Sequence, residues 1–212
     1  MKKQRYRVTF SKTEEMRFTG HLDLILTWER TFRRAGLPLS YSEGFSPRPV
    51  LNMAAPLPLG FTSTGEIGDF WLSDIISIDK FHPALEKSLP PGLIIREIRE
   101  IEDIFGPKLP TLVLAASYLI ALNEIPADLA AVIDGLIISQ NIIRERKGKS
   151  YDLRPLIKSI ELDQSNPKTV QMTLSNLPGA TGRPDEVLAA LGIPFLETRI
   201  SRKEIILDSN GK

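Results

Sequence analysis

Between Arg5 and Phe10 the chain alternates, with Tyr6, Val8 and Phe10 on one side and Arg5, Arg7 and Thr9 on the other. A period of two predicts a half-buried strand. At HLDLILTWERTFRRAG the period lengthens, and Leu22, Ile25, Leu26, Trp28, Phe32 and Ala35 predict the apolar face of a helix. Gly36 and Pro38 supply the stop. The other stripe carries Asp23, Thr27, Arg30 and Arg34, so its C-terminal end is cationic. A stiff loop follows, YSEGFSPRP, with Tyr41, Phe45 and Arg48 among its prolines. VLNMAAPLPLG and GEIGDFWLS read as strands, SIDKFHPALEKSL as a helix ended by Pro90, Pro91 and Gly92, and GLIIREIREI as a strand.

Strand, helix, strand, strand, helix, strand is the split βαβ, or ferredoxin-like, order. EDIFGPKLP then reads as a linker, and the order repeats. LVLAASYLIAL, TVQMTLSNL and ETRISRKEIIL predict strands, PADLAAVIDGLIIS and RPDEVLAALG helices, and NIIRERKG and DLRPLIKSIEL extended segments. The expected fold is therefore α+β, two tandem ferredoxin-like (βαββαβ) halves with antiparallel sheets, over residues 1–104 and 111–212 with 102–110 as the linker.

Composition changes this picture in two places. The chain has no cysteine, which excludes disulfides, thiol nucleophiles and cysteine-ligated iron–sulfur clusters on these 212 residues. Its net charge is only +1, yet the charge is unevenly spread. Through Val50 the bases Lys2, Lys3, Arg5, Arg7, Lys12, Arg17, Arg30, Arg33, Arg34 and Arg48 outnumber Glu14, Glu15, Asp23, Glu29 and Glu43. RERKGK forms a second basic cluster, and the segment from Leu51 to Pro110 is acidic. Near-neutral totals can hide a polarised surface. The basic N-terminus leads straight into a strand pattern, and no apolar run approaches the ~18 residues that cross a bilayer, so a soluble cytoplasmic protein is expected.

The candidate chemistry is phosphate binding. Arg30, Arg34 and Arg48, with Arg144, Arg146, Lys147 and Lys149, would neutralise phosphates, while Tyr41 and Phe45 would stack on unpaired bases. The same residues also suit a solvated helix face and a plain hairpin tip. His21 and His82 are the only histidines and lack metal-ligand spacing. His21 beside a basic helix is a candidate general base for metal-free RNA cleavage, and equally a residue serving a backbone group at a turn. No Gly-rich phosphate loop follows a strand; Gly182 and Arg183 merely lead into a helix start.

The run RFTGHLDLILTWERTFRRAGLPLSYSEGFSPRPVLNMAAPLPLG resembles the signature region of the bacterial radical-SAM-linked protein family, a domain of unknown function. Matching positions are His21, Asp23, Arg33, Arg34, Gly44, Phe45, Pro47, Pro49, Pro56, Pro58 and Gly60, and RERKGKSYDLRPLIKSIEL and GRPDEVLAALG extend the likeness. The resemblance implies an accessory subunit, and without cysteine the chain is expected to bind no cofactor itself. Its partner would be a radical SAM protein using S-adenosylmethionine and an iron–sulfur cluster. No catalytic residue comes with it. Element order and the PLPLG strand are also similar to the paired ferredoxin-like domains of CRISPR repeat-processing endonucleases, an analogy of fold. Three readings follow: an RNA-presenting accessory protein, a protein-docking scaffold, and a ribonuclease using His21.

Overall fold

The computed structural model describes residues 1–146 and 148–208, and the chain divides into two compact units, Met1–Leu112 and Val113–Asp208. The first unit runs β1 (Gln4–Lys12), α1 (His21–Arg34), β2 (Leu51–Met53), β3 (Thr62–Leu72), α2 (Ile78–Lys87) and β4 (Leu93–Glu100), and it closes on a 3-10 turn at Leu109–Leu112. β1 pairs antiparallel with both β3 and β4, and β2 pairs antiparallel with β3. The strand order within this unit is therefore β4–β1–β3–β2.

Both helices pack on one face of that sheet. Tyr6, Val8 and Phe10 from β1 and Phe70 and Leu72 from β3 form a core with Trp28 and Phe32 of α1 and Phe81 and Leu85 of α2. Ring centroids lie 4.1 Å apart for Tyr6–Phe81, 4.8 Å for Phe32–Phe70 and 4.9 Å for Trp28–Phe70. Such pairs add about 0.5–1.5 kcal/mol each beyond the area they bury.

Two expectations are corrected in this unit. Leu22 and Leu26, assigned to the buried face of α1, are 74% and 45% exposed, and the buried face is Leu24, Trp28, Thr31 and Phe32. Apolar residues on several sides of this helix left its rotation ambiguous; the two large rings set it. The alternation in β1 also does not separate core from solvent, because Arg5 and Arg7 are buried. Asp69 lies opposite Arg7 in the β1–β3 register. Its fully buried carboxylate accepts hydrogen bonds from Arg5 Nε (3.1 Å) and Nη2 and from Arg7 Nε (2.7 Å) and Nη2 (2.9 Å). Charged side chains enter an interior when paired in this way.

The second unit runs β5 (Val113–Leu122), α3 (Leu129–Ile138), β6 (Ile143–Arg146), β7 (Lys149–Asp152), β8 (Ile157–Asp163), β9 (Asn166–Leu177), β10 (Ala180–Thr181), α4 (Pro184–Ala190) and β11 (Thr198–Leu207). β5 pairs antiparallel with β9 and β11, and β8 pairs antiparallel with β9, giving the order β8–β9–β5–β11. β6 and β7 form a separate hairpin inserted after α3. Ile120, Val170, Met172, Leu174, Leu129, Ile133, Val187 and Leu188 are buried. No described helix is long and apolar enough to cross a membrane.

Candidate functional site

The loop 40–50 is stiff because its base is stitched to β3. Ser40 N donates to Trp71 O (2.7 Å), Trp71 N to Val50 O (3.2 Å) and Val50 N to Ser40 O (2.8 Å). Higher up, Ser42 N donates to Arg48 O (2.8 Å) and Arg48 N to Ser42 Oγ (3.0 Å), while Tyr41 bridges Pro49. Gly44 turns the tip at φ 115°, a conformation that favours glycine. Phe45 stands beyond it, fully exposed.

Trp71 alternates with Phe70 and Leu72, so its indole lies on the sheet face opposite the helices. There its Nε1 donates to Ile104 O (2.8 Å), and Lys2 Nζ and the Arg5 guanidinium lie 4.9 and 4.7 Å from its ring centroid. Arg5 also donates to Asp103 O (3.2 Å) and Pro107 O (3.0 Å). Segment 103–107 is thus held over the sheet by its own carbonyls. Between it and the loop lies an open cleft of about 810 Å³, lined by Lys2, Tyr41, Glu43, Arg48, Trp71, Phe105 and Lys108 among others. Phe105 is 82% and Tyr41 48% exposed. Three cations, one carboxylate and two accessible rings line one concave surface.

The structure sorts the expected site residues into three places. Tyr41 and Arg48 line the cleft, and Phe45 lies at the tip of the same loop. Arg30 and Arg34 are exposed on α1, over the other face of the sheet. Arg34 Nη2 donates to Ser88 O (2.7 Å), the carbonyl at the C-terminal end of α2, where a cation satisfies a free carbonyl. The loop therefore holds Arg48 beside Trp71 rather than beside the α1 stripe.

Arg144, Arg146 and Lys149 occupy the β6–β7 hairpin, with Arg146 opposite Lys149 and Gly148 at φ 73°. Arg144 Nε lies 3.4 Å from Glu186 Oε2, whereas Arg146 and Lys149 are exposed. Burial pushes the Tyr151 hydroxyl above its ordinary range, and Glu186 adds to this while Arg146 and Arg144 oppose it. Lys147 lies outside the described residues. His21 is the first residue of α1, following Gly20 at the N-cap. Among the described residues no group of three or more His, Asp or Glu side chains is placed to hold a metal ion.

Lys2, Trp71, Phe105 and Lys108 were not singled out from the sequence. The sequence carries a signal for two of them, Trp71 and Phe105. Adjacent rings at Phe70 and Trp71 mean that both faces of β3 are covered, and Phe105 is the lone aromatic of the linker EDIFGPKLP.

Fold and site together define a mixed α+β protein whose first unit presents an aromatic, cation-lined cleft on its helix-free sheet face. The chain belongs to the family described as an uncharacterized protein conserved in bacteria (DUF2344), whose model matches residues 5–184. Among solved structures it is similar to an unknown protein from Galdieria sulphuraria, at 13% identity and TM-score 0.30, over 96% of this chain and 99% of that one. A second is the acetolactate synthase small subunit from Thermotoga maritima, at 10% identity and TM-score 0.29, over 96% and 95% of the two chains. No curated protein matches the sequence.

Proposed function

We propose that this protein is a non-catalytic accessory subunit that binds RNA and presents it to a radical S-adenosylmethionine enzyme, and that its two units are tandem ferredoxin-like halves. The strand orders β4–β1–β3–β2 and β11–β5–β9–β8, each with helices after the first and third of its βαββαβ strands, support the tandem reading. The partner reading rests on the signature run quoted above. A chain without cysteine leaves the iron–sulfur cluster and S-adenosylmethionine to that partner.

The observation that carries RNA binding is the cleft, where Tyr41 and Phe105 stand exposed among Lys2, Arg48 and Lys108. Unpaired bases stack on accessible rings while cations meet the phosphates, a combination suited to single-stranded or looped RNA. Base–aromatic stacking contributes about 1–3 kcal/mol per base. Fluorescence anisotropy with a labelled 12-nucleotide RNA tests this directly. Binding should weaken steeply with salt, Phe105→Ala should cost about 1–3 kcal/mol of affinity, and Arg48→Ala should reduce the log–log salt slope by roughly 0.7. Absence of binding at low salt, or identical salt slopes for wild type and Arg48→Ala, would sink the reading.

A further inference from the structure

The ends of α1 differ on its outward side. Leu22 (74% exposed) and Leu26 (45%) lie one turn apart, and Arg30 continues the same row a turn later. Beside the helix start Phe18 is 75% and Leu59 59% exposed. Their neighbourhood is built: Arg17 Nε donates to Gly60 O (2.7 Å), Gly60 N donates back to Arg17 O (3.0 Å), and Lys12 Nζ reaches Phe61 O (3.1 Å). These bonds hold segment 59–61 alongside residues 16–18. The Arg17 guanidinium lies 5.3 Å from the Phe18 ring centroid. Four large apolar side chains thus stand in water at one end of α1, and at the other end Arg30, Arg33 and Arg34 are exposed. Arg30 and Arg33 form no ion pair among the described residues.

Scattered exposed leucines are ordinary, whereas a contiguous apolar patch bordered by charge marks a docking surface. We infer that the Phe18–Leu22–Leu26–Leu59 patch with Arg30 and Arg33 docks an apolar helix face, bordered by Asp and Glu, of a partner protein. A row of side chains at i, i+4, i+8 packs into the groove between the rows of a second helix. Arg30 and Arg33 select carboxylates at one end of it. Aliphatic side chains offer phosphate nothing, which favours protein over RNA on this surface. An isologous contact with a second copy would bring the arginine clusters of two chains onto one shared surface. This inference deepens the accessory half of the proposed function and is independent of the RNA cleft, which lies on the other sheet face.

A benzophenone-bearing amino acid placed at position 26 of the full chain in its bacterial host, followed by illumination and mass spectrometry of the cross-linked peptides, is the test. The expected result is one protein adduct whose joined segment has helical apolar spacing and excess Asp and Glu, reduced at least tenfold by Leu22→Asp. Leu22 is exposed, so that variant should keep the wild-type melting temperature and RNA affinity. No adduct, an adduct to RNA or to a second copy, or a joined segment with net positive charge overturns the inference. So does an adduct that Leu22→Asp leaves undiminished. A matching partner that lacks radical S-adenosylmethionine chemistry supports the surface while removing the radical-enzyme reading. Loss of RNA binding in anisotropy removes the cleft reading and leaves the surface standing.

Discussion

Replacing Asp69 by alanine should destabilise the first unit by about 3–5 kcal/mol, because it leaves two buried guanidinium groups without their shared anion. The carboxylate accepts four hydrogen bonds from Arg5 and Arg7, whose side chains are only 2% and 4% exposed. Such bonds are each stronger than neutral ones, and truncating one side strands the other. A unit of 112 residues is held by roughly 6–17 kcal/mol at ordinary per-residue stability, so the loss is a large share of the total. At about 4 °C per kcal/mol for a unit of this size, melting should fall by roughly 12–20 °C. The protein carries its own reporter: both tryptophans, Trp28 and Trp71, lie in this unit, so tryptophan emission during urea unfolding follows it alone. Asp69→Asn keeps the size and one acceptor oxygen while removing the charge, and should fall between wild type and Asp69→Ala. A change below about 1 kcal/mol in Asp69→Ala, with the urea dependence unaltered, would refute the claim that this carboxylate holds the two arginines in the interior.

Three other outcomes are expected from the packing and backbone of the fold. Gly92 sits at φ 90°, and a Cβ there would meet Met16 Cγ at 2.6 Å, whereas Gly36 at φ 67° has nothing within 4 Å. Gly36→Ala should therefore cost about 1–2 kcal/mol and Gly92→Ala clearly more, read from tryptophan emission in urea; equal costs would contradict the Met16 contact. Gly135, inside α3 with open space around its Cα, should accept alanine with a gain of about 0.5–1 kcal/mol, measured by thermal melting. Burial raises the Tyr6 hydroxyl above its ordinary 10.0, with Glu100 and Asp79 adding and the hydrogen bond from Gln4 opposing. The native state thus holds this proton more tightly than the unfolded chain, so the associated stability is present below pH 10 and is lost as pH rises through the folded value. Urea unfolding of the first unit should weaken at alkaline pH more steeply in wild type than in Tyr6→Phe; equal slopes would remove the argument.

Much of the element order was legible because the hydrophobic period changes cleanly at α1, α2 and the long strands. What pattern alone could not supply was rotation and pairing. Leu22 and Leu26 match the helical period as well as Leu24 does, and only Trp28 and Phe32 packing on Phe70 decides among them. Arg5 and Arg7 look like the wet side of a strand until Asp69 arrives opposite them from more than sixty residues away. The site was half legible. Tyr41 and Arg48 were visible as decorations on a rigid loop, but their neighbours Lys2, Trp71, Phe105 and Lys108 come from three other stretches of chain.

The segment over the cleft is gripped through the carbonyls of Asp103, Ile104 and Pro107, not through side chains. Every amino acid offers that same oxygen, so the side chains of Phe105 and Lys108, which take no part in those bonds, can be exchanged without loosening the grip of Arg5 and Trp71. That wall of the cleft separates display from support: substitution at positions 105 and 108 changes the groups it presents while the frame beneath stays as it is.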